Sequence, residues 1–125
     1  MTANLKMAGL DPDGVVRLAS QGDLTVEHLR DSVTRNPIAD LLGDSWAGHR
    51  ILLDLSNSNY IDSSAVGWLI SSHKDLKAAG GRLVVHSVRP QVQQVFDLLR
   101  VSRLIPLAPD EGRAREMVKE NNGSA

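Results

Sequence analysis

The sequence predicts an α/β domain built on a small, mostly parallel sheet. Three observations carry that expectation. Short apolar, β-branched segments alternate along the chain with stretches of helical periodicity, and strand–helix–strand alternation implies parallel pairing through right-handed crossovers. The run "RILLDLS", 50–56, is almost continuously aliphatic, which suits a strand buried on both faces of a sheet. Immediately after it, from Ser63, the apolar period changes from that of a strand to that of a helix.

The elements follow in order. "DPDG", 11–14, is a turn signal between two short apolar segments, the second of which, "VVRLAS", 15–20, reads as a strand. After the turn "QGD", Thr25 is a plausible N-cap for a helix with Val26, Leu29 and Val33 at helical spacing. Asn36-Pro37 interrupts it: Asn36 can cap a short second helix with Pro37 in its first position and Gly43 after its end. From Ser63, the positions Val66, Leu69, Ile70, His73 and Leu76 share one helical face, and Gly80-Gly81 stop the helix. "RLVVHS", 82–87, is a further strand. Pro90 opens a helix with Val92, Val95, Phe96 and Leu99 inward. "LIPL", 104–107, reads as a short edge-type strand because Pro106 has no N–H for a ladder, and Asp110 can cap a final helix at 111–119. One domain spanning 5–118 is expected, with flexible termini at 1–4 and 119–125.

Composition narrows the functional classes. Fourteen basic and fifteen acidic residues are interspersed and leave a net charge of −1, so there is no electrostatic footprint for a phosphate backbone. Tyr60, Trp46, Trp68 and Phe96 are the only aromatics, too few to suggest base stacking, and no nucleic-acid partner is expected. The absence of cysteine excludes disulfides, thiolate metal sites and a thiol nucleophile. His28, His49, His73 and His86 show no metal-binding spacing. No apolar run approaches the ~20 residues of a membrane span and "MTANLKMAGL" lacks the regions of a signal peptide, so a cytoplasmic protein without a membrane partner is expected.

The stretch "YIDSSAVGWL", 60–69, is the candidate site. Asp62 and Ser63 are both good helix caps, and capping alone is the bland explanation. A cap needs only one side chain, however. If Asp62 or Ser63 supplies it, Ser64 falls in the first turn with a spare hydroxyl, beside unpaired N–H groups and partial positive charge that suit a phosphate. A serine hydrolase is the enzymatic alternative. No G-x-S-x-G elbow is present, and His73 lies roughly 13 Å along the helix from Ser64; His86, on another strand, stays open as a base.

These motifs together resemble the STAS domain, specifically the single-domain anti-sigma factor antagonists, over about residues 5–118. "VVRLASQGDLT" resembles the family's second strand and G-[E/D]-L-D turn. "ILLDLSNSNYIDSSAVGWLISSHKDLKAAGGRLVV" resembles its strand, D-S-S-G-L-G turn, helix, Gly-Gly and strand. "RPQVQQVFDLLRVSRLIPL" resembles its third helix and last strand. The resemblance implies a STAS fold: a mixed, mostly parallel sheet of about four to five strands with about four helices mainly on one face. It implies Ser64 as phosphoacceptor, with Asp62, Ser63, Ala65, Asp23 and Thr25 as its neighbours or partner-binding positions. It further implies no enzymatic activity, no cofactor and a monomer or weak homodimer. The partner would be an anti-sigma factor with serine kinase activity, bound when Ser64 is unmodified and released when it is phosphorylated, with a PP2C-type phosphatase resetting the switch. The alternative within the same fold is a scaffold or ligand-sensing subunit of a larger signalling assembly. The chain departs from the family at Ala65 and Arg100, where glycine is usual, at Thr25, where aspartate is usual, and in a longer segment at 36–49.

Overall fold

The computed structural model describes residues 5–25, 36–43 and 45–119. Within them a five-stranded sheet runs in the order β1 (Leu5–Leu10), β2 (Val15–Ser20), β3 (Arg50–Asp54), β4 (Arg82–His86), β5 (Leu107–Ala108). β1 and β2 form an antiparallel hairpin around the "DPDG" turn, and every later pairing is parallel. The described α-helices are α1 (Pro37–Leu42), α2 (Ser63–Ala78), α3 (Pro90–Leu98) and α4 (Glu111–Lys119). The expected helix after Thr25, through Val26, Leu29 and Val33, the expected flexible terminus at 1–4 and all but Lys119 of the one expected at 119–125 lie outside the described residues; Lys119 is the last residue of α4. None of the described helices is long and apolar enough to cross a membrane.

The pleat sorts the strand residues onto two faces. Val16 and Leu18 of β2, Ile51 and Leu53 of β3, and Leu83 and Val85 of β4 form one core with Ile38 of α1, Ala65, Val66, Leu69 and Leu76 of α2, and Val92 and Phe96 of α3. Val15, Leu52 and Val84, the alternate residues, form a second, smaller core with Ala108, Ala114 and Val118 beneath α4. The continuous aliphatic run of β3 thus has apolar partners on both sides, as that pattern predicts. The small core is supplemented by charge: Arg115 pairs with Asp11 and, at 2.9 Å, with Glu111, and Lys119 reaches Asp13 at 2.5 Å, tying α4 to the turn between β1 and β2.

Local chemistry sets most element ends. Asn36 caps α1, its Oδ1 accepting from the Ile38 N–H at 2.9 Å; its Nδ2 donates to Ser72 Oγ and its Oδ1 also accepts from Trp68 Nε1, so the same side chain joins α1 to α2. α2 ends in a Schellman arrangement. The Gly80 N–H donates to the Lys77 carbonyl and the Gly81 N–H to the Leu76 carbonyl, with Gly80 at φ 86°.

Three details differ from the sequence reading. Leu99, expected inward, is 46 % exposed, because α3 ends one residue earlier and Leu99 is its C-cap. The last strand is Leu107–Ala108 rather than 104–107. Val101–Arg103 forms a 3₁₀ turn, Leu104 continues the reversal, and Pro106 contributes only its carbonyl, which accepts from the Val85 N–H. Arg100, which stands where the sequence comparison makes glycine usual, occupies the left-handed conformation that favours glycine, with φ 54° and ψ 41°. Burial of Val101 and Ile105 in the large core compensates for the ~1 kcal/mol or more that a side chain incurs there.

Candidate functional site

The chain leaves β2 at Ser20 and β3 at Asp54, side by side at the carboxyl ends of two adjacent parallel strands, and the two following loops stay paired beyond them. The Leu24 N–H donates to the Tyr60 carbonyl at 3.1 Å and the Asp62 N–H to the Leu24 carbonyl at 3.2 Å, a parallel bridge between Leu24 and Ile61. Asp23, on one flank of this bridge, accepts the Asn59 and Tyr60 N–H groups on Oδ1 at 3.0 and 3.1 Å. Thr25 lies on the other flank. The structure therefore brings Asp23, Thr25, Asp62, Ser63 and Ser64 to one rim, although the two groups are far apart in sequence.

Asp62 is the N-cap of α2. Its Oδ1 accepts from the Ala65 N–H at 2.9 Å, which decides between the two capping candidates. Ser63 and Ser64 then occupy the first two helical positions, both exposed, and the Ser64 hydroxyl forms no hydrogen bond to any described residue. Its hydroxyl stands where the N–H groups of the first turn and the helix dipole favour negative charge. Ala65 is different. Its side chain is fully buried in the large core, so it contributes a backbone N–H to the cap and offers no surface for a direct contact.

Further along the exposed side of α2, Gly67 has open space where a Cβ would be: beyond its own stretch of helix, no heavy atom of a described residue lies within 4 Å. Glycine in a helix interior is destabilising by roughly 0.5–1 kcal/mol relative to alanine. Packing by the described residues does not account for it, and Ser63, Ser64 and Ser71, three or four residues away on the same side of the helix, are exposed and carry only small side chains. Tyr60, 53 % exposed, borders it.

Neither histidine considered as a base serves Ser64. His73 lies along α2, half-buried, its proton affinity lowered by burial and by Lys77 and Arg82. His86 shares the face of Val84, the α4 side of the sheet, whereas α2 lies on the other side; its Nδ1 pairs with Ser87 Oγ at 2.8 Å. Burial lowers its pKa, against the opposing pull of Asp54, Glu111 and Asp110.

Two features escaped the sequence reading. Ser58, in the loop "NSNY", is completely buried, with Oγ 2.7 Å from the Gly22 carbonyl and 2.8 Å from Ser20 Oγ. Arg89, just before α3, donates from Nε to the Ser56 carbonyl at 2.6 Å. No spacing rule marks either residue, since both partners are distant in sequence.

A family model for the STAS domain matches residues 13–114. The chain belongs to the STAS domain family. A similar curated relative is the anti-sigma F factor antagonist of Paenibacillus polymyxa, 26 % identical over 101 residues, covering 81 % of this chain and 84 % of the relative. Among solved structures, a candidate anti-sigma factor antagonist from Thermotoga maritima superposes with a TM-score of 0.77 at 22 % identity, over 93 % of this chain and 95 % of that one. The Bacillus cell fate determinant SpoIIAA in its phosphorylated form does so with a TM-score of 0.61 at 19 % identity, over 92 % of this chain and 99 % of that one. These structural likenesses establish the STAS fold: a mixed, mostly parallel sheet with its helices mainly on one face.

Proposed function

We propose that this STAS domain is an anti-sigma factor antagonist, a binding module and phosphorylation substrate rather than an enzyme. In its unmodified state it binds an anti-sigma factor that is also a serine kinase. Phosphorylation of Ser64 releases that partner, and a PP2C-type phosphatase restores binding. The observation that carries the reading is the separation of roles at the start of α2. Asp62 satisfies the helix cap, and the adjacent Ser64 hydroxyl is exposed and uncommitted to any described residue. The open surface at Gly67 supports it, because an exposed mid-helix glycine with no described residue packed on it suits the close approach of a second protein. The P. polymyxa relative adds the class of partner through its name, and the SpoIIAA structure adds a phosphorylated state.

The switch has a physical basis. A phosphoserine carries about −1.5 to −2 charges. Within the domain, the helix N-terminus offers it roughly 0.3–1 kcal/mol. Against a partner, a carboxylate ~5 Å away would repel it by roughly 5–7 kcal/mol at an effective dielectric of 20, before screening. A few surviving kcal/mol weaken binding more than about a hundredfold. The test is binding of Ser64→Ala and Ser64→Asp to the cognate anti-sigma factor, with mass-spectrometric mapping after incubation with MgATP. Phosphate on Ser64, tight binding by the alanine variant and weak binding by the aspartate variant are expected. Equal binding, or phosphate placed only on Ser63, overturns the assignment.

A second reading, a scaffold or ligand-sensing subunit of a larger assembly, draws on the leucines exposed around the end of α3, where Leu98 is 82 % exposed and Leu99 and Leu104 about half. Large particles on gel filtration would favour it.

A further inference from the structure

The loops that follow β2 and β3 are unequal. Between the last strand pair, Ala19 with Asp54, and the bridge of Leu24 with Ile61, one segment advances by five residues and the other by seven. The surplus in the longer loop must fold somewhere. It folds inward at Ser58, whose N–H closes a turn onto the Leu55 carbonyl at 3.0 Å and whose side chain enters the seam between the loops. A hydroxyl has one proton to donate. Ser58 donates it to the Gly22 carbonyl at 2.7 Å, and Ser20 Oγ, also fully buried, is positioned to donate to Ser58 Oγ at 2.8 Å. The rest of the loop is held by side chains as well. Asp54 Oδ1 accepts the Ser56 N–H at 2.7 Å, Arg89 holds the Ser56 carbonyl, and Asp23 accepts the Asn59 and Tyr60 N–H groups. Ser58 is the member that lies in dry space, where removing one partner leaves others unsatisfied.

We propose that Ser58, clasped to Ser20 and the Gly22 carbonyl, is a positioning residue for Ser64: it holds the two loops in the register that delivers Asp62 to its cap and presents the phosphoacceptor to the kinase. The proposal rests on the reading of Ser64 as phosphoacceptor. Asp23 takes a part in the same clasp, so its carboxylate orders the rim as well as bordering it.

The experiment compares wild type with Ser58→Ala, Ser20→Ala and Ser58→Thr. Amide hydrogen exchange is measured on the free proteins, and kcat and KM for phosphorylation are measured with the cognate kinase-type anti-sigma factor and MgATP. In both alanine variants, the Leu24, Asn59, Tyr60 and Asp62 amides are expected to lose roughly tenfold in protection, with β3 and β4 amides unchanged, since one unsatisfied buried group corresponds to about that factor. The KM is expected to rise roughly tenfold with kcat little changed, and threonine, which keeps the hydroxyl, to restore both. Unchanged loop protection, or unchanged KM on a phosphorylated wild type, overturns the positioning role. A uniform loss of protection across the sheet does so too, because it would make Ser58 a general stability residue. If the wild type itself is not phosphorylated on Ser64, the proposed function fails, while the exchange data still decide whether the clasp orders the rim.

Discussion

The two ends of α2 are built on opposite terms. At the C-terminal end, Gly81 is pressed against backbone: a Cβ there would lie 2.3 Å from the His49 carbonyl oxygen and 2.6 Å from that of Ala47. In the N-terminal half, a Cβ at Gly67 would meet no described residue outside its own stretch of helix within 4 Å. The same residue type therefore answers an internal demand at one end and no internal demand at the other. The difference teaches where to look for function. A costly residue explained by packing belongs to the fold, and one that packing leaves unexplained points outward, here beside the exposed Ser63 and Ser64.

The largest effect expected from this contrast is at the packed end. Gly81→Ala must displace backbone and is expected to destabilise the domain by about 3 kcal/mol, lowering Tm by roughly 10 °C, as read by calorimetry. A change below about 1 kcal/mol would mean that the turn against His49 is loose. Gly67→Ala should act in the opposite direction, raising stability by about 0.5–1 kcal/mol while weakening binding to the proposed anti-sigma partner roughly tenfold. If the variant binds as well as wild type, no partner approaches α2 at that point. The smallest effect concerns protons. His73, in the C-terminal half of α2, has its pKa held below 6.5 by burial and by Lys77 and Arg82, and His86 is displaced in the same direction. A histidine whose folded pKa is depressed binds more protons when unfolded, so its contribution is complete above about pH 6.5 and declines as pH falls towards the folded value. Thermal melts of wild type should shift downward on acidification below that point. In His73→Asn/His86→Asn, the part of the decline due to histidine should disappear. An unaltered pH slope in that variant would show that both side chains are solvated.

Much of the architecture was legible because its causes are local or periodic. The cap at Asn36, a helix cap at Asp62 or Ser63, the Gly80-Gly81 stop and the two-faced burial of β3 each follow from a residue type or spacing within a few positions. Leu99 and the strand near Pro106 were misplaced because element ends depend on which neighbours are already buried, and helical spacing carries no information about where the last turn stops. Arg100 shows the same limit more sharply. A propensity argument removes arginine from the left-handed region, yet the chain must reverse there to bury Val101 and Ile105.

From sequence alone came the α/β class, the helix that runs from Ser63 and the pair of adjacent serines at its start, because strand period, helix period and capping chemistry are written in neighbouring residues. Only the tertiary structure decided that Asp62 caps while Ser64 stays open, that Ala65 faces the core, and that Ser20 and Ser58 meet across a separation of 38 residues. The physical reason is that a hydrogen bond or a buried face needs a partner in space. For Ser20 and Ser58, that partner is supplied where two distant loops fold together beyond the carboxyl ends of β2 and β3.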